Sequence, residues 1–154
     1  TTGETTMGAI YTGKVTTDGE SLARSTTSVH AFKIFMDEPE ELGGRNGAPS
    51  PLDFILAAHA GCLNYMTFFI AREMGIPITG TTISLEGSLD VAGFTGASPD
   101  VRPGYQGIRT VIDVATTASA ADVERLRAAV EARCPVSDNI ARATPVDIAM
   151  RPAG

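Results

Sequence analysis

The sequence predicts an α+β domain with the element order ββαββαβ. Three observations predict it: early segments rich in β-branched and aromatic residues, one long uncharged helical stretch, and a second half in which alternating segments flank an amphipathic helix. At 154 residues the chain suits one domain, and a domain of that size buries roughly 70% of the surface its unfolded chain exposes. We read residues 1–154 as that domain, with 1–7 as a flexible N-terminal tail and 91–107 as a protruding loop or arm.

The first two strands are assigned to "GAIYTGKV" (8–15) and "HAFKIFMD" (30–37), with the turn-rich "TTDGESLAR" between them. His30 alternates with Phe32 and Ile34 and is placed on the second of these strands as an edge or core residue. The Gly/Pro-rich "DEPEELGGRNGAPSP" reads as a loop ending at Ser50. Ser50, Pro51 and Asp53 then form a helix start: Ser as N-cap, Pro where its missing N–H costs nothing, and a carboxylate reaching back. The helix runs to about Met74, where Gly75 and Pro77 stop it.

In "TGTTISLEGSLDV", Ile83, Leu85 and Leu89 alternate with Ser84, Glu86 and Ser88, which predicts a half-buried strand, and "IRTVIDVAT" predicts another. The Gly/Pro-rich segment between them is long for a hairpin and reads as a lid or an arm. Ser119 and Asp122 form a second capping box, followed by Val123, Leu126, Val130 and Cys134 at helical spacing. Pro135 places Cys134 in the last turn of that helix. "TPVDIAM" (144–150) is read as the last strand.

Composition narrows the function classes. A net charge of −6, a pI near 4.8 and 12 scattered Lys and Arg residues argue against nucleic acid as a partner. Residues 54–71 carry no charged side chain and reach the lower limit of a membrane-spanning helix, about 18 residues. His59, Gly61, Asn64 and Thr67 interrupt the run and no Lys/Arg cluster flanks it, so a helix wrapped by protein is the better reading and no membrane partner is expected. The N-terminus has no basic region followed by an apolar run, so a cytoplasmic protein is expected. The two cysteines form neither a C-x-x-C motif nor a dense disulfide framework, as in a reducing compartment.

Cys62 and Cys134 admit three readings. Both suit a core, since free cysteine is among the most buried residue types. His59 and Cys62 share a helical face and Cys134 could add a third zinc ligand, but no fourth is visible, so no metal site is expected. His59 itself reads as a hydrogen-bonded core histidine. The third reading is thiol redox chemistry. A buried thiol is inert unless a cation stabilises its thiolate, and a second cysteine protects a sulfenic acid by condensing with it to a disulfide.

The segments "DEPEELGG", "PSPLDFILAAHAGC", "GFTGASPDVRPGYQ" and "RCPVSDNI" resemble the OsmC/Ohr family, the OsmC-type thiol peroxidases that include the organic hydroperoxide resistance proteins. The resemblance runs from about residue 8 to residue 150. It implies a curved antiparallel sheet around a long central helix, completed as an intertwined homodimer, which would explain the uncharged helix. It also implies Cys62 as the peroxidatic cysteine, Cys134 as the resolving cysteine, organic hydroperoxides as substrates and a dithiol, lipoyl-type reductant, with no cofactor.

The sequence departs from the family at Leu52, which stands where active members carry a glutamate paired with an arginine around the thiolate. Asp53 does not replace it, because about 100° of rotation per residue puts it on the helix face opposite Cys62. Arg24, in the loop between the first strands, is the expected arginine and Arg45 the alternative. Met66, Phe69, His59 and Leu52 are the expected substrate-binding residues. The expected function is two-cysteine reduction of organic hydroperoxides, slowed by Leu52. The rival is a non-catalytic protein that binds a small hydrophobic ligand in the dimer cleft near Met66, Phe68 and Phe69.

Overall fold

The computed structural model describes residues 9–152; the expected tail at 1–7 lies outside them. The chain forms two compact units, one up to Phe54 and one from Ile55 onward.

In the first unit, β1 (Thr16–Gly19), β2 (Ser25–Val29) and β3 (Phe32–Met36) form an antiparallel meander in that order. The expected first strand is displaced: residues 9–15 are not in a strand, and β1 begins inside the segment read as a connection. Turn chemistry decides the register. The Arg24 carbonyl accepts from the N–H groups of Glu20 and Ser21, and the Ser21 hydroxyl accepts from those of Ala23 and Arg24, so the chain reverses at 20–24. His30 is also corrected. It sits at φ 51° in the exposed two-residue turn between β2 and β3, not on a strand.

The Gly/Pro-rich loop after β3 folds around Asp37, which is 1% exposed. Its carboxylate accepts from the N–H groups of Glu38, Arg45 and Gly47. Ser50 and Asp53 make the expected capping box: the Ser50 hydroxyl accepts from Asp53 N–H at 3.2 Å, and the Asp53 carboxylate accepts from Ser50 N–H at 2.8 Å.

α1 (Pro51–Met74) carries the chain into the second unit. It stops where Gly75 takes φ 67° and Ile76 N–H returns to the Ala71 carbonyl. There follow β4 (Ile78–Ser88), α2 (Val91–Phe94), β5 (Gly107–Thr116), α3 (Ala120–Arg133) and α4 (Pro135–Ala141). β4 and β5 pair antiparallel from Ile78–Thr116 to Ser88–Gly107, with an irregularity at Ile78/Gly80. The stripe Leu63, Met66, Ile70 and Ala71 of α1 packs with Ile76, Leu126, Val130 and Cys134 into one buried core. The segment between β4 and β5 is folded on itself: Ser98 N–H reaches the Ala92 carbonyl, and a Cβ at Gly93 would lie 2.6 Å from the Arg102 carbonyl oxygen.

The α+β class, the antiparallel sheets and the long helix are as expected, but the element order is βββαβαβαα rather than ββαββαβ. The last strand is absent. Residues 144–150 are exposed and pair with no strand among the described residues, and alternation without a ladder partner makes no strand. α4 was not expected. Pro135, read as a stop for the preceding helix, also occupies the first position of the next one, where a proline is favoured.

Candidate functional site

Cys134 belongs to two helices at once. Its extended backbone (φ −74°, ψ 114°) lets its N–H close α3 on the Val130 carbonyl while its own carbonyl accepts from Asp138 N–H to open α4. The side chain is thereby aimed into the core at 1% exposure. Cys62, on the middle of α1, is half-buried. Both thiols are free and their sulfurs lie 3.3 Å apart. A disulfide needs about 2.05 Å, so a small approach and a two-electron oxidation separate the dithiol from the bond.

The two sulfurs are not equivalent. Burial pushes the Cys62 thiol up, and the adjoining Cys134 sulfur adds to this against a hydrogen bond from the Val136 N–H. Burial also pushes Cys134 up, but the Ser137 hydroxyl, the Ser137 and Val136 N–H groups and Cys62 together outweigh it and hold that thiol below its ordinary value.

One turn before Cys62, His59 Nε2 lies 2.8 Å from the Ser137 hydroxyl. Burial holds this histidine below its ordinary pKa, which favours the neutral imidazole. Along the same face of α1 as Cys62 come Tyr65 and Phe69, stacked with ring centroids 5.8 Å apart. Arg72 and Arg133 lie 5.8 and 5.7 Å from the Phe69 centroid. Arg133 is also bound to Glu73, at 2.5 Å. These aromatics, with Asn64, Phe68, Arg72, Ile76, Pro77 and Ile78, line a cleft of about 700 Å³.

Of the expected site residues, Cys62, Cys134 and His59 are brought together. Phe69 lines the cleft, whereas Met66 is buried in the core at 8% exposure. Leu52 is half-buried in the first turn of α1. Arg24 and Arg45 line one cleft of about 300 Å³ in the first unit, with Glu20 as the ion-pair partner of Arg24 at 3.7 Å. No group of three His, Cys, Asp or Glu residues able to hold a metal occurs among the described residues. Ser137 was missed by sequence reasoning. Its signal was a serine two positions after a Cys-Pro helix start, legible only once that start is recognised.

The sequence model of the OsmC-like protein family matches residues 44–149. The chain belongs to the OsmC family. Solved structures agree on the fold. An OsmC-like protein from Mycoplasma pneumoniae superposes with a TM-score of 0.73 at 18% identity, over 85% of this chain and 88% of that one. A Legionella pneumophila organic hydroperoxide resistance protein OsmC, also described as a predicted redox protein, gives 0.63 at 25% identity over 86% and 90%. The organic hydroperoxide resistance protein OhrB of Bacillus subtilis gives 0.60 at 22% identity over 84% and 90%. No curated protein matches the chain in sequence.

Proposed function

We propose that this OsmC-family protein is a cytoplasmic thiol peroxidase that reduces organic hydroperoxides by a two-cysteine mechanism. The observation that carries the reading is a pair of free thiols 3.3 Å apart, with Cys62 the more accessible. Cys62 as thiolate attacks the distal oxygen of the hydroperoxide; the O–O bond breaks, the alkoxide takes a proton and leaves as the alcohol, and Cys62 becomes a sulfenic acid. Cys134 then bonds to the Cys62 sulfur, the S–O bond breaks and water departs. A dithiol, of lipoyl type by family resemblance, exchanges with the disulfide and restores both thiols.

Arg24 is the proposed arginine of the family pattern and Arg45 the alternative, with Leu52 in place of the glutamate. His59 and Phe69 are proposed to contact the substrate, and Met66 to shape the site from the core. A slow first step is part of the proposal, because Leu52 replaces the glutamate and burial pushes the Cys62 thiol up. We also propose a homodimer. Only a third of the apolar window of α1 is buried, and Tyr65 is 64% exposed in a helix without a charge from Ile55 to Ala71. α1 is also long and apolar enough to cross a membrane by length and composition, but a second copy covering it fits a helix whose other face forms a protein core.

The deciding experiment is consumption of cumene hydroperoxide by the reduced protein. Cys62→Ser is expected to abolish it, and Cys134→Ser to allow one turnover before over-oxidation. Equal, mild effects of the two substitutions would return both thiols to core packing. The aromatic cleft and the raised Cys62 thiol favour a second reading, a protein that binds a small hydrophobic ligand without turnover. Saturable binding of an apolar ligand by a protein inert to every hydroperoxide would establish it.

A further inference from the structure

Of the charged residues on α1, Asp53 caps the helix and Glu73 binds Arg133, which leaves Arg72. The arginines of α3 and of the end of α4 are held by carboxylates: Arg125 by Asp122, Arg127 by Glu124 and Glu131, Arg133 by Glu73, Arg142 by Asp138. Arg72 has no ion pair and no side-chain hydrogen bond among the described residues; its guanidinium lies over Phe69, 5.8 Å from the centroid. A helix C-terminus favours a cation, but it does not account for the surroundings. Among the described residues Arg72 is the one charged side chain lining the cleft of about 700 Å³, whose walls include Tyr65, Phe68, Phe69, Ile76 and Ile78. A cleft of that size suits a small molecule. In a chain of net charge −6, the charge placed there is positive. Asn64, toward the other end of the cleft, accepts from the Thr81 hydroxyl at 2.6 Å through its carbonyl oxygen, with its N–H donors uncommitted.

We propose that this cleft binds an apolar molecule carrying one carboxylate, with Arg72 as the anchor of that head group. The assignment rests on the reading of the cleft as the place where the apolar substrate or ligand lies, and it adds the charge that such a molecule must carry. A planar guanidinium presents paired N–H donors that match a carboxylate, and apolar walls strengthen the pairing relative to open water. A neutral molecule of the same shape leaves the guanidinium unpaired, and a cationic one meets like charge. Arg72 and Asn64 are eight positions apart (72 − 64), about 12 Å along the helix axis. An extended chain of about ten carbons covers that length. Its far end comes to lie beside Asn64 and Tyr65, within one turn of Cys62. A second copy over Tyr65, 64% exposed, would roof the cleft.

The test is calorimetric titration of the full chain with three probes that share one tail: decanoate, decan-1-ol and decyltrimethylammonium, each below its micelle concentration. Decanoate is expected to bind about ten-fold more tightly than decanol, and the ammonium most weakly. Arg72→Gln should bring decanoate down to the level of decanol and leave decanol unchanged. Arg72→Glu should invert the order, so that the ammonium binds most tightly, a gain that a damaged fold cannot produce. Arg127→Gln, on the exposed face of α3, should leave the order as it is. Equal affinity for the three probes overturns the proposal. So does binding of none of them, as when a second copy fills the cleft, or a preference for decanoate that survives Arg72→Gln or disappears in Arg127→Gln. Turnover is scored separately. A protein that consumes cumene hydroperoxide but does not prefer decanoate keeps the peroxidase reading and loses the anchor; one that prefers decanoate through Arg72 but is inert to hydroperoxides keeps the anchor and loses the peroxidase reading.

Discussion

The first unit and the second are built on different physics. β1 to β3 are made of residues such as Thr16, Thr17, Ser25, Thr26 and Thr27, and β1 is exposed throughout. What fixes them is polar: the Thr17–Thr27 hydroxyl contact at 2.8 Å, the Ser21 turn and the Asp37 loop. The second unit is fixed by apolar stripes, with Ile70, Leu126 and Val130 at 2% exposure or less. Polar order depends on a few irreplaceable acceptors, whereas apolar order depends on volume, and substitution separates the two.

The largest effect is expected in the second unit. Leu126→Ala removes a side chain from a core without slack and should cost about 2–5 kcal/mol of unfolding free energy in a denaturant titration. A loss below about 1 kcal/mol would mean that the core collapses around the gap.

Next comes Asp37→Ala, which leaves the N–H groups of Glu38, Arg45 and Gly47 without their acceptor. Hydrogen exchange should rise over residues 37–49 with little change in the core of the second unit. The same residue gives a pH test. Burial raises the Asp37 pKa, but the N–H donors from Gly47, Glu38 and Arg45, and the charge of Arg24, lower it further, and the result lies below its ordinary value. Its contribution is therefore present above the unfolded pKa and lost as pH falls through the folded one. Asp37→Asn should flatten the acid limb of the stability curve; an unchanged limb would mean that another carboxylate governs it.

A smaller effect, about 1 kcal/mol, is expected of Ser119→Ala, which removes the hydroxyl that accepts from Asp122 N–H at the start of α3. Ser119→Asp should keep most of the stability, and a loss in both would point to packing rather than capping. The smallest belongs to the exposed sheet. Ser28→Ala, which leaves Lys33 without its 2.6 Å surface partner, should change stability by less than about 0.5 kcal/mol. A larger loss would show that polar side-chain pairs, and not only turns, hold that sheet together.

The same contrast explains what was legible beforehand. Both capping boxes, the stop at Gly75, β4, β5 and the Leu126–Val130–Cys134 stripe were readable, because each is a local pattern with a local cause. β1 was misplaced because Ile10, Tyr11 and Val15 look more like strand residues than Thr16–Gly19 does, and only the turn at 20–24 says which segment finds a partner. The strand expected at 144–150 failed for the complementary reason: alternation was present and a ladder was not.

The sequence by itself determined that two cysteines stand in OsmC-type surroundings, one on a long apolar helix and one before a proline. Only the tertiary structure decided that their sulfurs meet at 3.3 Å and that His59 meets Ser137. Those contacts join residues more than seventy positions apart, across the packing of α1 on the α3–α4 junction. Spacing along one helix predicts a shared face; which atoms of another element fill it depends on how the two helices pack, and no local pattern encodes that.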